Sequence, residues 1–554
     1  MHGRMVSNRH AESPVSTSVN TSVSKRAPAS AQSDKEDTSH NIDWFIFIAS
    51  ALLILGVCVP LVLFPETGKE VLGRGFDYVT QDLGIAYIVF ASAALILLLV
   101  LAFGRHGQTR LGPPDSRPEF ATFSWAAMLF CGGIGTSVIY WGTIEWAYYF
   151  QGPPFGAEPE SAQAFAWATS YPLFHWGITG WALYCLPGVA IAYAYHVRNM
   201  PTLSLSGACA AVLGKATNGP LGRLIDLTFM VGLIGAISTG LGLAVPLISA
   251  ISNRLFAVEE NFTLSCIIIV VITSLYAFSV YVGLEKGIKR LSNLNVGLAL
   301  LMLCFVLLVG PTVYILESAM EAVGHTLQNF IKMSTYNDSQ GETDFVGAWT
   351  VFYWAWWLAL GPFMGMFVTK ISRGRTIREL VICSLGYGSL GCVAFFAVLG
   401  GYAQYLQQND IVPVLQLLNE QSAPHAVVAV LDELPLDVIV LPLFGILCLI
   451  FAATSYDSAS YTLASAATKR LPAHVHPASW HRIFWAFFLG LLPITLIYLG
   501  GLRSLQSAMV IISVPLLVVL IILTVALFRG LREQEREYTQ ALSRNTRPPT
   551  SHPL

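Results

Sequence analysis

The residues with the clearest chemical potential form an aromatic cluster inside an apolar stretch. The stretch from Trp349 to Thr376 reads WTVFYWAWWLALGPFMGMFVTKISRGRT. Its cluster consists of Trp349, Phe352, Tyr353, Trp354, Trp356 and Trp357. A buried helix does not need so many tryptophans to fill it, and aromatic faces attract cations through the ring quadrupole. The cluster therefore predicts an aromatic-walled cavity, and the Gly361-Pro362 pair that follows predicts a helix break beside it.

A second string, FCGGIGTSVIYWGTIEWAYYF at residues 130–150, combines glycines with polar aromatics and one carboxylate. The glycines near its start leave the backbone unshielded, which permits local unwinding or close approach of another helix. They are Gly132, Gly133 and Gly135. Glycines alone favour a small-residue packing face. Tyr140, Trp141 and Glu145 favour a binding path instead. A carboxylate at membrane depth costs free energy, so its presence there usually marks a functional site.

A third string, YPLFHWGITGWALY at residues 171–184, adds further aromatic side chains. Trp176 and Trp181 lie deeper in the apolar segment than an interfacial aromatic belt would place them. They are therefore candidates for a second wall of the same cavity. His175 directly precedes Trp176 and could carry a proton, but the pattern is more typical of a hydrogen-bonded packing histidine.

A fourth string, FGILCLIFAATSYDSASYTLASAATKR, places hydroxyls and a carboxylate in one apolar segment. The polar residues are Thr454, Ser455, Asp457, Ser458 and Ser460. Any single hydroxyl could bond to the carbonyl four residues earlier. Together they are expensive in lipid unless they face a polar site. Adjacent hydroxyls and freed carbonyls are hard oxygen donors, so the segment is a candidate site for an alkali cation.

The tryptophans have no evident carboxylate partner in the sequence, and this indicates a particular kind of ligand. A quaternary ammonium group cannot donate hydrogen bonds, whereas aromatic faces attract it with about 0.5 to 2 kcal/mol per contact. Trimethylammonium compounds such as betaine, carnitine or choline are therefore the favoured ligands. A flat aromatic compound or an apolar amino acid would also stack here, so the residues alone leave that alternative open.

The elements that must position these residues are membrane-spanning helices. Of the 554 residues, 54% are hydrophobic and only 12% are charged, and the mean hydropathy is +0.60. A soluble domain carries about a quarter charged residues, so we predict an all-α integral membrane protein. Runs of roughly 20 apolar residues can span a bilayer, and about twelve are present. They lie near 44–64, 84–103, 124–150, 169–194, 224–251, 264–283, 295–316, 346–368, 379–403, 437–463, 481–500 and 506–528.

Lysine and arginine residues lie in alternate loops between these spans. They follow spans 2, 6 and 8 and lie between spans 10 and 11, whereas residues 404–436 contain none. By the positive-inside rule, both termini are predicted to be cytoplasmic, in a bacterial inner membrane. Residues 1–41 are rich in Ser, Thr and Ala, which predicts a disordered tail. We assign residues 42–530 to the membrane domain and 531–554 to a cytoplasmic C-terminal tail.

Several other classes of function have little support in the sequence. The nine cysteines form no CxxC or CxxH pair, so neither a disulfide framework nor a zinc site is indicated. A net charge of −2 without a basic face does not suggest nucleic-acid binding. Since no metal cluster, activated nucleophile or phosphate loop stands out, an enzyme is the weakest alternative. A channel or membrane osmosensor stays open.

These strings resemble the betaine/carnitine/choline transporter family over nearly all of residues 42–530. The most specific matches are FYWAWW followed by SRGRT, FHWGITGW in span 4 and TSYDSAS in span 10. The resemblance implies an inverted repeat of the leucine-transporter type, with five helices in each half and two extra N-terminal helices. The halves would cover about 124–316 and 346–528, with the substrate between them. Several members of the family form trimers, which implies a homotrimer here.

The resemblance also implies which residues bind substrate. The matching positions are Tyr140, Trp176, Trp181, Tyr184, Trp356 and Trp357, with Trp349 on the outward approach. Leu360 departs from the family pattern. At the matching position the betaine porter has a tryptophan and the carnitine exchanger has a tyrosine. One wall is therefore aliphatic. The family's glycine stretch corresponds to Gly133, Gly135 and Ser137, where the third position is not glycine.

Sodium-dependent members bind sodium through paired hydroxyls on span 10 and backbone carbonyls of span 3. The matching residues here are Thr454, Ser455 and Phe451 with Cys131 and Ile134. The sodium-independent carnitine exchanger carries an arginine on span 7, where this chain has Asn295. Sodium coupling is therefore favoured. Leu233 and Ile237 replace the hydroxyls of a second sodium site, although Phe363 matches.

The predicted function is sodium-coupled uptake of an onium zwitterion by alternating access, with no cofactor other than Na⁺ as the coupling ion. Glycine betaine, carnitine, choline and dimethylsulfoniopropionate are the candidate substrates. The alternative is a sodium-independent exchanger of carnitine-like compounds, which YWGTIEWAYY in span 3 favours. The expected partners are the substrate, Na⁺ and membrane lipid.

Overall fold

The chain folds almost entirely into α-helices. The structure, a computed structural model, describes residues 42–133, 135–201, 203–282, 285–341, 343–469 and 476–545. Within these ranges there is no strand, and β-pairing is limited to two isolated bridges, Ile42 with Thr468 and Arg110 with Thr376. The prediction of an all-α protein is confirmed. The predicted N-terminal tail, residues 1–41, lies outside the described residues.

The helices that precede the aromatic stretch include long apolar segments and shorter connecting ones. They are α1 (Trp44–Leu63), α2 (Pro65–Asp82), α3 (Gly84–Phe103), α4 (Thr122–Gly133), α5 (Thr136–Gln151), α6 (Ala162–His175), α7 (Ile178–His196), α8 (Leu205–Ala208), α9 (Ala210–Leu213), α10 (Pro220–Phe256), α11 (Phe262–Val282), α12 (Glu285–Val309) and α13 (Thr312–Ser334). Helix α2 lies between the first two predicted spans, in a stretch that was not predicted to be a span. It contains Lys69, Arg74 and several acidic residues, so its hydropathy does not resemble that of a span.

The helices from the aromatic stretch onward complete the membrane domain. They are α14 (Phe352–Ile371), α15 (Ile377–Phe395), α16 (Gly401–Gln408), α17 (Val414–Glu420), α18 (Ala423–Asp432), α19 (Asp437–Ala466), α20 (Ser479–Leu489), α21 (Leu491–Gly500) and α22 (Leu502–Asn545). π-helical turns at Val346–Val351 and Phe396–Gly400 precede α14 and α16. The acidic loop at 404–436 is therefore largely helical, and α22 extends into the C-terminal segment.

Nine helical segments in the described ranges are long and apolar enough to cross a membrane. A tenth is formed by Leu294–Val309 with Thr312–Ser334, which bend by 109°. The other two predicted spans are also helical. One is divided into α4 and α5, of 12 and 16 residues, and the other is α11, of 21 residues. A multi-pass membrane fold is confirmed, whereas the count of about twelve crossings and the inverted repeat stay predictions.

Two helix breaks lie where the candidate site residues converge. Between α4 and α5, Gly135 is extended, with φ −140° and ψ −168°. Between α6 and α7, Gly177 is extended, with φ −89° and ψ −151°. Such breaks expose backbone groups that must be satisfied within the protein or in a cavity. The unwinding expected from the glycines of span 3 is thus present at Gly135.

The break expected at Gly361-Pro362 is wrong. Helix α14 continues through Pro362 to Ile371. Gly361 instead allows α7 to approach closely, since a Cβ there would lie 3.0 Å from the carbonyl oxygen of Leu183. Gly365 has the same role one turn later, where a Cβ would lie 3.0 Å from the carbonyl carbon of Pro187. The small residues therefore serve helix packing between α14 and α7.

Candidate functional site

A cavity of about 1980 Å³ extends into the helix bundle. Its lining includes aromatic residues of the α6–α7 break, α7 and α14, the residues at the start of α5 and the hydroxyls of α19. These residues include Trp176, Tyr184, Trp356, Trp357, Leu360, Gly135, Thr136, Ser137, Thr454 and Ser455. The mouth is lined by Arg198, Lys370, Arg373 and Lys469. The cavity therefore opens on the side of the molecule that carries the basic loops.

Three tryptophans meet at nearly right angles beside this cavity. The ring of Trp176 lies 5.9 Å from that of Trp356, at an interplanar angle of 85°, and 5.7 Å from that of Trp357, at 71°. Tyr184 approaches the Trp357 ring to 4.2 Å. All four side chains are buried within the fold yet reach the cavity. Rings in this arrangement present faces from several directions, which suits a cation better than a flat ligand.

Two local contacts fix the α14 tryptophans. Trp356 donates from Nε1 to the carbonyl oxygen of Ala236 on α10, at 3.2 Å. Trp357 packs on Gly180 of α7, where a Cβ would lie 2.7 Å from its Cε2. Glycine at 180 is thus required by the close approach of the indole. The wall of the site is held by both neighbouring helices.

Trp181 and Tyr140 lie behind the cavity wall. The Trp181 ring is 5.9 Å from Trp357 and covers Gly388 of α15, where a Cβ would lie 2.2 Å from its Cδ2. Tyr140 is buried, with its ring 5.0 Å from that of Trp141. Leu360 does line the cavity. Trp181 and Tyr140 are therefore placed to support the aromatic wall from behind.

Trp349 belongs to a second aromatic cluster on the side away from the cavity mouth. Its ring lies 5.0 Å from Tyr149, 5.1 Å from Tyr148 and 5.7 Å from Trp141. It also stacks on Tyr353 at 6.4 Å. The rings pack against one another, so the path between Trp349 and the three tryptophans of the cavity is closed in this conformation.

A buried carboxylate lies between the two aromatic clusters. Glu145 has no solvent exposure, and it accepts hydrogen bonds from three aromatic side chains. Trp176 Nε1 donates at 2.9 Å and Tyr353 Oη at 2.5 Å, both to Oε2. Tyr149 Oη donates to Oε1 at 2.6 Å. The expectation that the tryptophans lack a carboxylate partner is therefore wrong for Trp176.

Sequence reasoning noted Glu145 as a costly carboxylate but did not include it among the substrate-binding residues. Its partners lie on different helices, and Tyr353 is 208 positions away along the chain. Helical periodicity carries no information on such a contact. The available signal was the carboxylate itself, because an ionisable group at membrane depth marks a functional site by default.

The hydroxyl pair of α19 faces the break between α4 and α5. Thr454 Oγ1 and Ser455 Oγ both donate to the carbonyl oxygen of Phe451, at 3.0 and 2.9 Å. A Cβ at Gly135 would lie 4.0 Å from Ser455 Oγ. Thr136, the first residue of α5, donates to the carbonyl of Cys448 at 3.4 Å. The lone pairs of both hydroxyls could serve a hard cation.

The rest of the predicted cation site is only partly described. Cys131 belongs to the last turn of α4, and Gly133 ends that helix, whereas Ile134 lies outside the described residues. Asn295 is fully buried on α12 and donates from Nδ2 to the carbonyl of Leu447 on α19, at 3.3 Å. This contact holds α12 against the helix that carries the hydroxyl pair.

The C-terminal part of α22 borders the cavity mouth. Arg198, which follows α7, donates to Glu537 from Nη1 at 2.9 Å and from Nη2 at 3.2 Å. The hydrogen bonds to the Glu537 carboxylate raise the pKa of Arg198. Tyr193 Oη donates to Oε1 of Gln534 at 3.1 Å, and Glu533 lines the cavity. The end of α22 is thus attached to the end of α7.

Comparisons with known proteins agree with this arrangement. The profile of the family described as "BCCT, betaine/carnitine/choline family transporter" matches residues 45–536. The chain is 32% identical over 499 residues to the "Carnitine transporter" of Acinetobacter baumannii, covering 90% of each protein. It is 33% identical over 505 residues to "Glycine betaine transporter OpuD" of Bacillus subtilis, covering 90% of this chain and 96% of the relative.

A third relative is "Uncharacterized transporter YeaV" of Escherichia coli, with 36% identity over 441 residues. That match covers 79% of this chain and 91% of the relative. The family profile and the full-length relatives confirm the resemblance predicted from the aromatic and hydroxyl motifs. The chain belongs to the betaine/carnitine/choline family, and it is a multi-pass membrane transporter.

Proposed function

We propose that this protein takes up an onium zwitterion by sodium-coupled alternating access. The observation that carries the proposal is the group of Trp176, Trp356, Trp357 and Tyr184 at membrane depth in the cavity. A trimethylammonium group would lie against the ring faces, with about 0.5 to 2 kcal/mol per contact. Two relatives are named as transporters of carnitine and of glycine betaine, which favours these two substrates over choline and dimethylsulfoniopropionate.

The start of α5 would receive the carboxylate of the zwitterion. Gly135, Thr136 and Ser137 line the same cavity as the tryptophans. The N-terminus of a helix carries unpaired N–H groups and a positive dipole end, both of which favour an anion. A zwitterion would then bridge the aromatic wall and the start of α5. Leu360 leaves one side aliphatic, which suits a substrate longer than glycine betaine.

Sodium would bind at Thr454, Ser455 and the break preceding α5. Support comes from the two hydroxyls that share the Phe451 carbonyl and from the proximity of Gly135 to Ser455. An ion held by α19 and by the start of α5 would fix the residues that receive the carboxylate. It would thereby raise substrate affinity in one conformation over the other, which is the thermodynamic requirement for coupling.

The described conformation corresponds to an inward-open state under the predicted topology. The cavity mouth is lined by Arg198, Lys370, Arg373 and Lys469, which the positive-inside rule places on the cytoplasmic side. The cluster around Trp349 closes the opposite path. Both termini would be cytoplasmic and the membrane the bacterial inner membrane. A homotrimer is the assembly we propose by analogy with the family.

Uptake by the purified protein in proteoliposomes tests the proposal. Glycine betaine, carnitine, choline and dimethylsulfoniopropionate are compared with and without an inward sodium gradient. We expect saturable, sodium-driven uptake that is lost in Trp357→Ala and retained in Trp480→Ala, a half-exposed tryptophan that stacks on Trp44. Unsaturable flux that persists in Trp357→Ala would instead indicate a channel.

The same measurement separates sodium symport from sodium-independent exchange. The span 3 string YWGTIEWAYY, which resembles the carnitine-type branch of the family, supports the exchanger as a second candidate. An exchanger would show equal uptake with and without the sodium gradient. It would also require substrate preloaded inside the vesicles, whereas a symporter would accumulate substrate in empty vesicles.

A further inference from the structure

The Glu145 carboxylate lies directly behind the aromatic wall. Its Oε2 accepts from the indole of Trp176, whose ring lies 5.9 Å from Trp356 and 5.7 Å from Trp357. Glu145 itself does not line the cavity, and its side chain is fully buried. The carboxylate is therefore separated from the proposed ligand by one indole.

The hydrogen-bond pattern around Glu145 suits the ionised form. Tyr149 Oη is 2.9 Å from His175 Nδ1, and Thr350 Oγ1 is 3.1 Å from His175 Nε2. If Thr350 donates to Nε2 and Nδ1–H donates to Tyr149, the Tyr149 proton is free for Glu145. Every donor and acceptor in this series of hydrogen bonds then has a partner while the His175 imidazole stays neutral. Three donors converge on a carboxylate that needs no proton of its own.

The negative charge has no fixed cationic partner in the described ranges. The groups that contact it are Tyr149 on its own helix, His175 and Trp176 at the α6–α7 break, and Tyr353 on α14. None of these is a lysine or arginine. A buried charge without a counter-ion is expensive, so a cation that arrives on the far side of the Trp176 ring would relieve part of this cost.

We propose that Glu145 is the counter-charge of the onium group and acts through Trp176. The inference rests on the proposed function and names the residue that makes the site select a cation over a neutral group of equal shape. Two effects act together. The carboxylate attracts the cation across the indole, and the hydrogen bond to Nε1 draws electron density toward the ring face. At an effective dielectric constant near 20, the Coulomb term across one indole corresponds to roughly tenfold in affinity.

A purely structural function for Glu145 gives a different expectation. If the carboxylate only orients Trp176, its neutralisation would disturb the wall for every ligand of that shape. Charged and uncharged ligands would then lose affinity by the same factor. The two possibilities are separated by the ratio of affinities for a matched pair of ligands, rather than by either affinity alone.

The matched pair is glycine betaine and its carbon isostere, 3,3-dimethylbutanoate, in which a quaternary carbon replaces the nitrogen. Dissociation constants are measured by titration calorimetry on the purified protein in detergent with sodium. In Glu145→Gln we expect the affinity ratio of betaine to isostere to fall roughly tenfold. In the control Tyr149→Phe, which retains the carboxylate and its bond to Trp176, we expect the ratio to stay near that of the wild type.

A second variant keeps the proposal testable if Glu145→Gln does not fold. Trp176→Phe keeps the carboxylate but substitutes a ring with a weaker quadrupole. Phenylalanine also lacks the Nε1–H group that donates to Glu145. If Glu145 acts through Trp176, the affinity ratio of betaine to isostere falls in this variant, whereas a purely structural wall would weaken both ligands in parallel. An unchanged ratio in Glu145→Gln or in Trp176→Phe would overturn the counter-charge. A wild-type protein that binds neither member of this pair nor carnitine would refute the proposed onium transport itself.

Discussion

The indole of Trp357 lies on the backbone of Gly180, so that a Cβ at residue 180 would lie 2.7 Å from Cε2 of the ring. This contact sets the depth of the α14 wall. It depends on the absence of a side chain at a position that sequence periodicity alone would treat as ordinary packing.

Gly180→Ala should displace Trp357 and weaken substrate binding by roughly fivefold or more, because overpacking costs about 1 to 3 kcal/mol. The added methyl also meets the carbonyl oxygen of His175 at 2.6 Å. Thermal unfolding in detergent should therefore show a modest loss of stability. Gly386→Ala is the control, since a Cβ there meets nothing within 4 Å. An unchanged substrate affinity in Gly180→Ala would contradict the placement of Trp357.

Removal of the α19 hydroxyls should lower the affinity for sodium and leave the affinity for substrate at saturating sodium largely unchanged. Thr454→Val and Ser455→Ala each remove one oxygen donor beside Phe451. We expect the sodium concentration for half-maximal uptake to rise about tenfold in each, with a smaller change at saturating sodium. Thr524→Val is the control, because its hydroxyl is also bonded to a backbone carbonyl but lies on α22. Equal sodium curves in all variants would rule out this site.

An aromatic residue at position 360 should strengthen binding of compact onium compounds. Leu360 lines the cavity beside Trp356 and Trp357, so Leu360→Trp adds a further ring face. One cation–π contact of about 0.5 to 2 kcal/mol corresponds to roughly 2- to 30-fold in affinity. Competition between glycine betaine and carnitine should shift toward betaine. Leu360→Met, similar in volume and not aromatic, should leave that preference unchanged.

The contact between Arg198 and Glu537 should contribute little to stability. Both side chains are well exposed, at 36% and 61%, so solvent screens the attraction between them. A double-mutant cycle with Arg198→Gln and Glu537→Gln should yield a coupling energy close to the error of the measurement. The coupling should decrease further at high salt, because salt screens exposed charges. A large, salt-insensitive coupling would contradict a solvent-screened pair.

The sequence predicted the helical fold and the aromatic wall because both depend on residue type along a short stretch. The apolar runs became helices, and Trp176, Trp356, Trp357 and Tyr184 meet at one cavity. The hydroxyl pair of α19 was recognisable for the same reason, since polar groups in an apolar run are visible locally. Residue type therefore indicated the aromatic and hydroxyl groups of the cavity, whereas Tyr140, Trp181 and Trp349 do not line it.

Contacts between distant segments were not predictable in this way. Trp181 and Trp357 have similar local sequence surroundings, but Gly388 on α15 accommodates the first ring and Gly180 on α7 the second. The partners of Glu145 are likewise decided by how α5, α6 and α14 pack. The same limit explains the error at Gly361. A glycine beside a proline indicated a helix break, but the missing side chain instead allows α7 to approach α14 closely.

The π-helical turn at Val346–Val351 has a consequence for how the outer and inner parts of the site are related. Such a turn holds one residue more than an α-helical turn, and each residue of an α-helix rotates by about 100°. Deletion of a single residue within the turn would rotate Phe345 and everything before it away from Tyr149 while leaving Trp356 and Trp357 in register. The aromatic cluster around Trp349 and the tryptophans of the cavity lie on one continuous segment. The one additional residue in the π-helical turn sets their relative orientation.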